Sequence, residues 1–206
     1  MLFRSWRRIF PKNATEIFYK TGGNCDFQMI IYIMKDLYKR DFTVLNIKQA
    51  LIRFYEEPMK IYSQKIKEVL KTQLKFSIVK PFLENKATIE TIIMNDLYTL
   101  TDFDIWLLAK NLNIPIVLFS VHNLKLIPKR GDEEVNWLLM HQNYKENFYY
   151  IRSPMNLSEG EKKATYSLVK RYMFSELRND FEKTVLNAIT SKTKNVQTLE
   201  NFLQSF

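Results

Sequence analysis

Two glycines stand directly ahead of the chain's single cysteine, in Thr21-Gly22-Gly23-Asn24-Cys25-Asp26-Phe27, and a stretch with helical apolar spacing begins at once behind it. Glycines let the backbone turn tightly and direct its N–H groups inward. A helix start adds unpaired donors and positive partial charge, which stabilise a thiolate and lower its pKa. The same N–H groups can hold the oxyanion of an acyl-transfer intermediate. Cys25 is therefore a candidate nucleophile, with Gly22, Gly23 and Asn24 as its oxyanion loop. A buried, inert thiol after a turn would read the same way locally. Asp26 suits the helix dipole, yet beside a thiol an acid raises the cysteine pKa and opposes nucleophilicity.

A cysteine nucleophile needs a base, and the chain has two histidines. His141-Gln142-Asn143 has the spacing for an imidazole base oriented by an amide, or it simply opens a polar turn. His122 falls in a tight turn between strand-like runs and reads as solvated. One cysteine and two histidines do not make a structural zinc site, so no metal or other cofactor is expected. An internal disulfide framework is excluded for the same reason.

These side chains must be positioned by a chain of 206 residues, enough for one domain with extensions. Residues 1–13 form a basic amphipathic arm, with Leu2, Phe3, Trp6, Ile9 and Phe10 opposite Arg4, Arg7 and Arg8. It reads as a membrane-surface or partner-binding arm, or as a helix capping the core. Phe27, Ile30, Ile31, Met34, Leu37 and Tyr38 recur at helical spacing, which predicts a helix over 25–40. Further helices are expected near 46–57 and 60–73. Thr101 and Asp104 form a capping pair that opens another through Ala109. Four strand-like runs follow at Ile114–Val121, Leu124–Ile127, Trp137–Met140 and Phe148–Ile151. Ser158 and Glu161 then make a second capping pattern, which predicts a helical tail towards Phe206 with a break near 190–197. Helices followed by a compact set of strands imply an α+β fold with a small central β-sheet flanked by helices, plus extra C-terminal helices.

The net charge of +9 is unevenly distributed, with five lysines and one glutamate in 61–80 and an acidic stretch over 81–110. Basic patches favour anionic partners, although solvated lysine faces on helices explain them as well. No zinc finger, helix-turn-helix or aromatic-basic RNA motif supports a nucleic-acid partner further. No run of eighteen apolar residues exists and the first ten residues lack a secretion-signal core, so no transmembrane segment is expected. The expected setting is intracellular: cytoplasm, virion or nucleus. Abundant Lys, Asn, Ile, Phe and Tyr with little Ala and Gly fits an AT-rich genome, such as that of a virus or endosymbiont.

Gly22-Gly23-Asn24-Cys25-Asp26-Phe27 resembles the nucleophile segment of the ovarian-tumour (OTU) cysteine proteases, which reads Asp-Gly-x-Cys-Leu-Phe at a helix start. Three weaker stretches agree in order: Asp102–Ala109 running into Asn113–Leu118, then Asn136–Met140, then Glu146–Ile151. The resemblance implies an OTU-like domain at 14–155 with a papain-type cysteine-protease fold, followed by a helical extension at 156–206. It also implies ubiquitin or a ubiquitin-like modifier as partner; a larger viral or host protein assembly is a separate candidate partner. The family's catalytic histidine falls on Phe148 and its orienting residue on Tyr150. Phenylalanine cannot move a proton, and acid–base catalysis typically contributes about 10²–10⁴-fold. Three functions compete: a modifier-binding domain with weakened or absent catalysis, an active deubiquitinase using Cys25 with His141 and Asn143, and a basic nucleic-acid-associated or viral structural domain.

Overall fold

The computed structural model describes residues 16–18, 24–112, 114, 116–119, 147–152 and 167–173. Contacts divide the chain into two compact units, one spanning 19–114 with 203–206, the other 1–18 with 115–202.

The first unit, as described, is built from helices. Helix α1 (Cys25–Tyr38) ends where Lys39 turns left-handed at φ 54°. It buries Phe27, Ile30, Ile33 and Met34, the three- and four-residue spacing of one helical face. Helix α2 (Val44–Gln73) starts at a reciprocal cap: Asn46 N–H donates to Thr43 Oγ1 at 3.1 Å, and Thr43 N–H donates to Asn46 Oδ1 at 2.9 Å. The sequence suggests two helices here, and α2 is two helical segments in succession: the chain runs through Pro58 and breaks at a kink at Tyr62, where φ is −121° and not helical. Pro58 removes one backbone donor and crowds the preceding turn; it is buried, and the kink follows one turn later at Tyr62. Two short helices follow, α3 (Phe76–Leu83) and α4 (Ile89–Met94), the latter capped by Thr88. Helix α5 (Asp102–Asn111) is buried without a break from Asp102 to Ala109.

Helix α2 is the hub, packing on α1, α3, α4 and α5. Its Ile47, Leu51, Tyr55, Ile66, Val69 and Leu70 are all buried. The Tyr55 ring meets Phe103 edge-on at 5.5 Å, and Phe103 stacks on Trp106 at 5.9 Å. Each such aromatic pair adds about 0.5–1.5 kcal/mol beyond burial alone.

At the centre of this core lies a carboxylate with no exposure, Asp104. Its Oδ1 accepts Tyr55 O–H at 2.6 Å, and its Oδ2 accepts Tyr98 O–H at 2.9 Å, Thr101 N–H at 2.7 Å and Thr101 O–H at 2.9 Å. Burial raises the Asp104 pKa above the ordinary aspartate value, while these hydrogen bonds pull it down. Burial and the neighbouring Asp104 hold both tyrosine hydroxyls well above the usual phenol range, so they remain donors. Lys48 is buried as well and places its ammonium 2.9 Å from the carbonyl of Asn95, just past the end of α4. Burial lowers its pKa, and the nearby Asp96 opposes that shift.

The second unit, as described, is a four-stranded sheet of order β1-β4-β3-β2, from β1 (Glu16–Phe18), β2 (Ile116–Phe119), β3 (Asn147–Arg152) and β4 (Ser167–Met173). Strands β2 and β3 run parallel, with Ile116 opposite Tyr149; β3–β4 and β4–β1 run antiparallel. A register shift between Phe148 and Tyr150 places an extra residue on β4.

This architecture corrects the expected α+β, papain-type fold with a central sheet flanked by helices. The stretch 24–112 is dominated by helix and contains no strand, and its core closes through helix–helix packing centred on α2. The physical reason is that α5, buried from Asp102 to Ala109, packs on α2, and α2 in turn gathers α1, α3 and α4. The extra C-terminal helices are corrected where the chain is described: residues 167–173 form strand β4. Tyr166, Val169, Tyr172 and Met173 have helical spacing, but pairing with β1 and β3 on both sides outweighs local periodicity. The expected strand at Ile114–Val121 is described as a strand only at Ile116–Phe119. The arm at 1–13, the runs Leu124–Ile127 and Trp137–Met140, and the break near 190–197 lie outside the described residues.

Because burial raises the folded Asp104 pKa above 3.8, the native state holds a proton in that interval that the unfolded chain has released. The contribution of this group to stability therefore falls as pH rises through the interval and is flat above it. The stability difference between wild type and the non-titrating Asp104→Asn is expected to be larger at about pH 4 than at about pH 7, in urea titrations. A difference that stays level or grows with pH would refute the assignment.

Candidate functional site

The candidate site is built around the start of α1. Asn24 precedes the helix in a left-handed conformation, φ 77° and ψ 15°, one that asparagine tolerates better than most residues. Its carbonyl accepts Gln28 N–H at 3.0 Å, so Cys25 is the first helical residue, as the motif requires. The Asn24 side chain makes no capping bond, and its Oδ1 is buried with no hydrogen-bond partner among the described residues.

Two anchors behind Cys25 hold the helix start. Asp26 is buried, and its Oδ2 accepts Leu100 N–H at 3.2 Å. Phe27 is fully buried, with its ring 6.5 Å from Tyr98 and 5.4 Å from the Lys48 ammonium. The segment 98–101 therefore clamps α1, and Asp104 in turn holds that segment through Tyr98 and Thr101. The Asp26 carboxylate is thus engaged as a structural acceptor. The sequence carried a signal for half of this clamp, the Thr101/Asp104 cap, and none for the other half, since Leu100 contributes only its backbone.

Of the remaining sequence-derived positions, Gly22, Gly23, His141 and Asn143 lie outside the described residues, as does His122. Phe148 and Tyr150 are residues of β3. Phe148 is in register with Tyr172 of β4, and Tyr150 with Val117 of β2 and Val169 of β4. Their neighbours Tyr149 and Ile151 are buried. Among the described residues no group of three or more His, Cys, Asp or Glu side chains could hold a metal ion, and no helix is long and apolar enough to cross a membrane.

Comparison with protein-family models, curated proteins and solved structures gives no match to this chain.

The left-handed backbone at Asn24 sets up a direct test. Asn24→Ala is expected to destabilise the protein by about 1 kcal/mol, whereas Asn24→Gly, which has no Cβ penalty at positive φ, should cost far less. Chemical denaturation of the two variants checks the ordering; equal losses would show that the side chain, not the backbone, matters there.

Proposed function

We propose that this chain docks ubiquitin or a ubiquitin-like modifier without cleaving it. The reading rests on the resemblance of Gly22-Gly23-Asn24-Cys25 to the nucleophile segment of the modifier proteases, and the corrected architecture adds nothing to it. The position of Cys25 as first residue of α1 behind a left-handed Asn24 is compatible with an oxyanion-type cradle of backbone donors. The observation that carries the non-catalytic half is Phe148, a β3 residue in register with Tyr172 of β4, at the position the resemblance gives to the proton-transferring histidine. A phenyl ring has no proton to exchange, so a thiol depending on that position has no base. Binding of an extended tail by backbone hydrogen bonds requires no such base.

Exposed to ubiquitin carrying a C-terminal propargylamide, the full chain should remain unmodified at Cys25 by intact mass, while a competent cysteine deubiquitinase in the same tube reacts. Cys25→Ala should leave modifier affinity within about twofold of wild type, because a non-reacting thiol contributes little binding. An adduct that disappears in His141→Ala would establish the active-protease reading instead. Failure of the folded wild-type chain to bind ubiquitin or any ubiquitin-like modifier would end the docking reading.

A further inference from the structure

A cleft of about 500 Å³ lies in the helical unit, lined by Met34, Tyr38, Arg40, Phe42, Asn111 and Leu112. Three pieces of chain meet there: the last turn of α1, the connection into α2, and the end of α5. The Tyr38 hydroxyl donates to the Leu112 carbonyl at 2.7 Å, which ties the first wall to the last and holds the phenol ring in place. The Asn111 Nδ2 donates to the Leu107 carbonyl at 2.8 Å, leaving Oδ1 as an acceptor. The acids that flank Arg40 in sequence are already engaged, Asp41 by Lys35 at 2.6 Å and Asp36 by Lys39 at 3.3 Å. Among the described residues the Arg40 guanidinium has neither an ion pair nor a hydrogen bond.

A guanidinium and an amide acceptor lining one cleft with a thioether and two aromatic rings make a composite with a definite complement. Guanidinium pairs best with a carboxylate, bidentately. The Asn111 Oδ1 asks for an N–H donor. Met34, Tyr38 and Phe42 ask for an apolar body, and Met adapts its shape to it. We propose that this cleft binds a terminal carboxylate borne by an apolar residue: the carboxylate on Arg40, the adjacent N–H on Asn111, and the side chain against Met34 and Phe42. Both a free apolar amino acid and the C-terminal residue of a polypeptide carry that chemistry. The proposal is independent of modifier docking at α1, since none of its residues belongs to the Cys25 segment.

Calorimetric titration of the full chain with N-acetyl-leucine, N-acetyl-leucinamide, N-acetyl-glycine, free leucine and a pentapeptide ending in leucine tests it. N-acetyl-leucine should bind, and amidation should weaken it about tenfold or more, the usual worth of a charge-assisted hydrogen bond. Removing the apolar side chain, as in N-acetyl-glycine, should also weaken binding. Arg40→Ala should erase the distinction between acid and amide; the residue is exposed, so its folding is expected to survive, and circular dichroism checks that. Tighter binding of the pentapeptide than of free leucine would identify a polypeptide terminus as the source, and the reverse a free amino acid. The proposal is overturned if the amide binds as well as the acid, if Arg40→Ala binds the acid unchanged, or if no ligand binds at millimolar concentration.

Discussion

A carboxylate removed from water must gather hydrogen-bond donors or give up its charge, and Asp104 gathers them from three separate places. Tyr55 reaches it from the middle of α2, Tyr98 from the segment ahead of α5, and Thr101 from the N-cap of α5 itself. Leaving a buried charge with a missing partner costs several kcal/mol, so this carboxylate ties α2, the 98–101 segment and the start of α5 into a single arrangement. The aromatic packing of Tyr55, Phe103 and Trp106 surrounds the same point. Each tyrosine buries its ring and still places its oxygen, which a phenylalanine could not do.

The geometry of the α1 start follows from that arrangement. Once Tyr98 and Thr101 are held, the Leu100 N–H between them points at Asp26 and the Tyr98 ring lies beside Phe27. The backbone around Cys25 is thus fixed from behind by residues with no chemistry of their own. This separates two roles that acids near a cysteine can play. Asp26 is committed to a backbone donor of another segment, so its placement beside Cys25 answers a packing demand. Lys48, beneath the Phe27 ring and against the Asn95 carbonyl, binds α4 into the same cluster.

Helix α1, the reciprocal cap at Thr101 and Asp104, and strand β3 were all legible in the sequence, because each is specified by neighbours within a few residues. Helix spacing from Phe27 to Tyr38 and a Thr-x-x-Asp cap are local devices, and the structure contains both. Strand β4 was misread for the complementary reason: its spacing satisfies a helix, and only two flanking strands make it extended. The two helical segments of α2 were legible as well, but the place of the break was not: the chain runs on through Pro58 and kinks at Tyr62. In the candidate site, the place of Cys25 at a helix start could be read directly. The engagement of Asp26 by Leu100 could not, because a backbone N–H leaves no trace in residue identity.

By itself the sequence indicated that helices open at Cys25 and behind Thr101 and which face of α1 is apolar. Those are properties of side-chain type and short-range hydrogen bonding. Only the tertiary structure decided that α1, α3, α4 and α5 pack on α2, that residues 167–173 are a strand, and that Arg40 lines a cleft together with residues of α1 and α5. Long-range burial and pairing set those outcomes, and their free energies exceed the small local preferences that a sequence reading can weigh.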